Sequence, residues 1–157
     1  MNHDIYKAGQ VARYHCNPEM SLFRQTNADH QWGCVALILM MHKNPSVCLL
    51  RAAAFHDVGE MKAGDLPYTV KIENPEHATA HDELEYRMSA EMGAHRPPLN
   101  QSEKDWLKFV DRLESYLFMK LYGQDHQWSP EQLKELFVRA QKLNVTNRLR
   151  ELIYGGS

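Results

Sequence analysis

His56 and Asp57 stand side by side at the end of Val47 to Phe55, a run that is apolar almost throughout apart from Arg51. An imidazole and a carboxylate at the end of a buried helix need partners, and together they offer the nitrogen and oxygen donors that suit Zn, Co, Mn or Fe. By itself the pair also reads as an ordinary helix C-cap. Asp111 lies among Leu107, Val110, Leu117 and Phe118, where a carboxylate is costly unless a cation neutralises it. Its neighbour Arg112 points about 100° away on a helix and is a poor partner. His30 opens a run that continues through Val35, Ala36, Leu37 and Leu39. His30, His56, Asp57 and Asp111 thus come from three segments that a small bundle must pack together. Glu60, three residues beyond Asp57, is close enough to reach a water on the same cation, whose pKa falls toward neutrality there. Asp65, in a glycine-containing loop, could protonate a departing oxygen only if such a site raised its pKa. Without a metal, Glu60 reads as a solvated loop charge and Asp65 as a turn-former.

A histidine, then a His-Asp pair, then a distant aspartate on a later helix resembles the signature of the HD-domain superfamily. The stretch AAAFHDVGEMKAGDLPYTVK, residues 52–71, resembles the HDxxE and GDLPxxVK motifs of YfbR-type 5′-deoxynucleotidases. The resemblance covers roughly residues 10–122. It implies metal ligation by His30, His56, Asp57 and Asp111, a divalent transition metal (Co, Zn or Mn), and Glu60 and Asp65 as the acid and base carboxylates. Lys71 and Arg13 are then the residues that hold phosphate oxygens, Arg13 through its planar fork and Lys71 as a point charge; Arg24 is a weaker alternative. The segment RYHCNPEM, residues 13–20, departs from the nucleotidases' RW-type pattern by placing Tyr14 where the base or sugar would rest.

In that departure and in its short length the chain is similar to compact phage DatZ-type enzymes. These release triphosphate from dATP, so that 2-aminoadenine can replace adenine in phage DNA. The resemblance therefore implies a dATP triphosphohydrolase whose base pocket is bordered by Tyr14 and Cys16, an aromatic face suiting a purine. In isolation Tyr14 reads as a core aromatic. Three other functions stay open: a 5′-deoxynucleotidase acting on deoxynucleoside monophosphates, a nucleotide-sensing module without turnover, and a phosphodiesterase for signalling nucleotides, against which the GDLP stretch speaks. A small-molecule deoxynucleotide is the expected partner in all but the last, and assembly as a homo-oligomer is implied by the family.

The elements that must position these residues read as helices near 3–13, 28–43, 45–57, 75–93, 102–122, 130–142 and 144–153. Trp106, Val110, Leu113, Leu117 and Leu121 recur at three- and four-residue steps before Gly123, the pattern of an amphipathic helix closed by a C-terminal glycine. Asn44-Pro45, Asn74-Pro75 and Ser129-Pro130 each offer a capping side chain before a first-turn proline, and Ser129 with Gln132 fits a capping box. No alternating β-branched run competes. The fold class is all-α, a single HD-domain helical bundle over residues 1–157, with loops at Val58 to Glu73 and Gly93 to Gln101. His77 and His81 share metal-ligand spacing on one helix, but HATAH lacks the glutamate of the zinc proteases, and the spacing reads as chance among nine histidines. The methionines, Met40, Met41, Met88 and Met92 among them, read as core filler.

At 157 residues the chain suits one domain with a real core. A composition of 43% hydrophobic and 24% charged residues argues against disorder and disulfide scaffolds. The net charge of −2 speaks against a broad grip on nucleic acid. Cys16, Cys34 and Cys48 are odd in number, contain no CxxC pair and read as reduced packing residues. The longest apolar run is too short to span a bilayer, and the amino terminus does not resemble a secretory signal, so no membrane association and a cytoplasmic location are expected, the host cytoplasm if phage-encoded.

Overall fold

A computed structural model describes residues 3–95 and 97–155, with Tyr68 and Thr69 described by their backbone alone. The fold is all-α, as predicted; among the described residues there is no strand, only an isolated antiparallel bridge between Ala12 and Thr26. The α-helices are α1 (Asp4–Ala8), α2 (Asn27–Met41), α3 (Val47–Phe55), α4 (Glu60–Ala63), α5 (Tyr68–Glu73), α6 (Pro75–Glu91), α7 (Gln101–Leu121), α8 (Pro130–Lys142) and α9 (Thr146–Tyr154). No helix among the described residues is long and apolar enough to cross a membrane.

The chain forms two compact units, Met1–Trp32 with Ala54–Pro97, and Gly33–Ala53 with Pro98–Ser157. Each has its own apolar cluster. The second unit is built on Leu37, Ile38, Leu49, Phe109, Leu113, Leu136 and Leu149, all buried, with α7 packed on α8 and α8 on α9. Cys34 belongs to this core, whereas Cys16 and Cys48 are exposed free thiols and not the packing residues that their apolar neighbours suggest. Met41 and Met92 are buried as predicted, while Met40 is exposed. Arg148 reaches from α9 to the carbonyls of Met40 and Met41, at 3.2 and 2.6 Å, and closes the last turn of α2. Gly33 lets α7 approach: a Cβ there would stand 2.7 Å from the Cγ of buried Glu114.

The first unit has a smaller cluster of Ala8, Val58, Met92 and Ala94, with Ile5, Phe55 and Met61 against it. Here the sequence reading needs most correction. The supposed loop from Val58 to Glu73 contains α4 and α5, both packed on α6; they are too short for an apolar period to register. The helix read over residues 3–13 is only Asp4–Ala8, because the chain beyond it turns to pair with the entry to α2. Arg13 N–H donates to Gln25 C=O and Asn27 N–H to Val11 C=O, both at 2.9 Å.

Helix ends follow local chemistry. Ser129 and Gln132 form the predicted capping box at α8, and Asn100 with Glu103 forms another at α7. Gly123 takes φ +70° after α7, where a side chain would be strained. At α3 the cap is Ser46, whose hydroxyl accepts from the Leu49 N–H at 3.0 Å, rather than Asn44. Asn74 makes no side-chain capping bond at α6; its amide reaches back to Val70 C=O.

Candidate functional site

The first turn of α2 delivers two polar side chains to one place. Asp29 N–H donates to the Thr26 hydroxyl at 3.3 Å and Thr26 N–H donates back to the Asp29 carboxylate at 2.9 Å, a capping box that fixes the helix start. Asn27 and His30 follow on the buried side, and both are fully enclosed. The second contribution comes where α3 stops at Phe55. His56 to Gly59 form a turn leading straight into α4, so His56, Asp57 and Glu60 are presented within five residues.

These pieces converge within the first unit. His30 Nε2 and His56 Nε2 are 3.1 Å apart. Asp57 turns one carboxylate oxygen to His56, at 3.5 Å, and the other to His30, at 3.6 Å. Arg13 donates to that second oxygen at 2.6 Å, a charge-assisted bond. Asn27 ties the turn together, its amide donating to Asp57 C=O at 3.1 Å and to the Glu60 carboxylate at 2.8 Å.

The donor set passes a simple test for a cation. Two imidazole nitrogens each about 2.0–2.1 Å from one ion lie about 2.8 Å apart at an octahedral right angle and about 3.4 Å apart at a tetrahedral one. The observed 3.1 Å falls between these values. It also suits one N–H···N bond between neutral rings, but a carboxylate facing both nitrogens favours positive charge at the centre. The residues whose ligand atoms all lie within 4.8 Å of one another are His30, Cys34 and His56, a group that includes the Cys34 thiol and leaves out Asp57.

Burial pushes the Glu60 carboxyl up to about 8, helped by the Asp57 carboxylate, opposed by the Arg13 guanidinium, raised further by Asp65 and lowered by the Asn27 hydrogen bond. The solvated loop charge that Glu60 suggests in isolation is therefore not what the fold makes of it. A carboxyl that titrates near neutrality and is held by an amide is suited to take up and return protons.

No family model matches the chain, and neither does any curated protein or solved structure. The site rests on its own geometry.

Of the remaining residues singled out from the sequence, Asp65 follows α4 after Gly64, half-buried, and its charge is felt at Glu60. Lys71 is half-buried on α5. Tyr14 is half-buried with φ +56°, in the left-handed region that costs a non-glycine residue about 1–2 kcal/mol. The Arg13 guanidinium lies 5.6 Å from its ring centroid. Cys16 is exposed beyond it. Asp111 stands half-buried on α7, in the second unit. Arg24 is exposed.

Asn27 was not legible as a site residue; the Thr26-x-x-Asp29 pattern was the available signal, since it fixes which residues open α2. His77 is exposed, and His81 Nδ1 lies 3.0 Å from Glu85 Oε1 without a hydrogen bond between the two atoms. His81, Asp82 and Glu85 form a second group of metal-ligating types, with donor atoms within 4.8 Å of one another.

Proposed function

We propose that the protein is a metal-dependent phosphohydrolase of the HD type acting on deoxynucleotides, with dATP its substrate and triphosphate and deoxyadenosine its products. The observation that carries this reading is the pair of histidine nitrogens 3.1 Å apart with both oxygens of Asp57 turned toward them and Glu60 buried alongside. His30, His56 and Asp57 would hold a divalent transition metal, Co, Zn or Mn. Asp111 enters as a fourth ligand through the HD resemblance alone. When bound, such a cation supplies Lewis acidity to a phosphoryl oxygen and acidifies a coordinated water.

The chain's own residues account for the rest of the chemistry. Glu60, oriented by Asn27, takes a proton from the attacking water as its oxygen bonds to the phosphorus attached to the 5′ oxygen. The bond between that phosphorus and the 5′ oxygen breaks, and Asp65 returns a proton to the nucleoside oxygen. Arg13 keeps Asp57 oriented and, with Lys71, supplies positive charge for phosphate oxygens. Tyr14 and Cys16 border the base. The same machinery would serve a deoxynucleoside monophosphate, releasing orthophosphate, and this is the second reading. One domain, a homo-oligomeric assembly and a cytoplasmic location belong to the same proposal.

Incubation of the Co²⁺-loaded protein with each of the four deoxynucleoside triphosphates and monophosphates, with products separated by chromatography, tests it. Triphosphate from dATP supports the first reading, and orthophosphate from dAMP moves the assignment to the second. No product from any of the eight leaves a nucleotide-sensing module and removes the hydrolase.

A further inference from the structure

His81, Asp82 and Glu85 repeat the residue types and spacing of His56, Asp57 and Glu60, but here the chain stays helical throughout. The middle of α6 is covered by the turn that leads into α4: a Cβ on Gly59 would overlap the Glu85 carbonyl oxygen. His81 and Glu85, four residues apart, share one face of α6, and their side chains are only 10% and 9% exposed. Asp82 lies about 100° round the helix from His81 and is exposed. His81 Nδ1 stands 3.0 Å from Glu85 Oε1, yet no hydrogen bond joins the two, and Nδ1 is buried with no hydrogen-bond partner among the described residues. A buried polar atom left in that state is costly. An imidazole lone pair and a carboxylate oxygen so close also repel each other unless positive charge stands between them.

We propose that His81, Asp82 and Glu85 form a second divalent-cation site, on α6, that takes Zn or Co through one imidazole nitrogen and two carboxylate oxygens. A nitrogen about 2.0–2.1 Å and an oxygen about 2.0–2.2 Å from one ion lie about 2.8–3.0 Å apart at a right angle and about 3.3–3.5 Å apart at a tetrahedral one. The observed 3.0 Å matches the right angle. Asp82 completes the set from the solvent side, its ligand atom within 4.8 Å of the other two. Nitrogen and oxygen donors together suit a borderline cation, and the ion neutralises the buried Glu85 carboxylate. Its role is structural: a cation that binds only the folded helix stabilises the element on which α4 and α5 pack. The inference does not rest on the hydrolase reading, since it uses none of that site's residues.

The test titrates Co²⁺ alone into the chelator-stripped full-length chain, for the parent, Glu85→Gln, Asp82→Asn and His56→Gln. Calorimetry gives the affinity, elemental analysis the stoichiometry, and circular dichroism in chelator shows whether each variant folds. The parent and His56→Gln are expected to bind an equivalent of cobalt that Glu85→Gln lacks. Asp82→Asn is expected to weaken that binding by about tenfold or more, a loss that even outer-shell partners of a metal can cause. Because Asp82 is exposed, this variant carries the test should Glu85→Gln fail to fold. Crystals of the parent grown with Co²⁺ are expected to show anomalous scattering beside His81 Nδ1. Parent stoichiometry and affinity in both folded Glu85→Gln and Asp82→Asn overturn the proposal, as does the loss of all cobalt from folded His56→Gln or the lack of an anomalous peak at His81. Cobalt kept by His56→Gln and lost by Glu85→Gln upholds it, even where the parent turns over no nucleotide and the hydrolase reading fails.

Discussion

Glu60 combines three things that a single residue rarely combines: burial, a carboxylate neighbour in Asp57 and an amide donor in Asn27. Its removal should leave His30, His56 and Asp57 in place. Glu60→Ala is accordingly expected to retain bound metal by elemental analysis while losing turnover by about 10²-fold or more, the usual contribution of a general acid–base group; a rate within a few-fold of the parent would make it a spectator. The same residue shapes stability in the chelator-treated protein. Its carboxyl is raised from 4.5 to about 8 in the folded chain, so between those values the folded state keeps a proton that the unfolded state has released. Stability from this group is therefore greatest below the unfolded value, falls as pH rises through the window and is fully forfeited above the folded one. Urea unfolding of the metal-free protein should show lower stability at about pH 8 than at about pH 5, and Glu60→Gln should flatten that difference. An equal slope in both proteins would assign the pH dependence elsewhere.

At the scale of the element, helix ends decide what reaches the site. The Thr26–Asp29 box aims Asn27 and His30 inward, and the stop at Phe55 leaves His56 and Asp57 in a turn instead of on a helix face. At α8 the same capping physics can be measured away from the site. The Ser129 hydroxyl accepts from Gln132 N–H at 3.2 Å, and the Gln132 amide oxygen accepts from Ser129 N–H at 2.8 Å. Ser129→Ala should cost about 1 kcal/mol in denaturant unfolding with no change in metal content. Loss of metal in that variant would show that α8 supports the site more directly than its cap chemistry implies.

For the molecule as a whole, the proposed metal site, drawing its ligands from separate helices, would link binding to folding. A cation that binds only the folded chain at about a hundred times its dissociation constant stabilises it by about 3 kcal/mol, equivalent to a rise of about 6–12 °C in Tm for a chain of this size. Thermal unfolding with Co²⁺ and with excess chelator measures this. Asp111→Ala is expected to abolish both the rise and the bound metal; full metal content in that variant would remove Asp111 from the ligand set.

The sequence alone determined the fold class and the long helices, since a 3.6-residue apolar period over α7 and the Ser129-Pro130 start of α8 are local facts written in neighbouring residues. It also singled out His56, Asp57 and Glu60, which share one short turn. What it could not contain was the distance between segments remote along the chain. The 3.1 Å between His30 and His56, Asn27 bridging to Glu60 and Arg13 locked on Asp57 each join residues 26 to 44 positions apart. Those separations depend on how α2, the α3–α4 turn and the segment around Arg13 pack, and packing is a property of surfaces that no local window records. The short helices α4 and α5 were hidden for a related reason: at four and six residues they are too brief to nucleate or to show a period on their own, and they are stable only where α6 covers them. The seat of Gly59 on the Glu85 peptide likewise exists only in three dimensions, because a glycine in ordinary helical geometry carries no mark of the helix that passes over it.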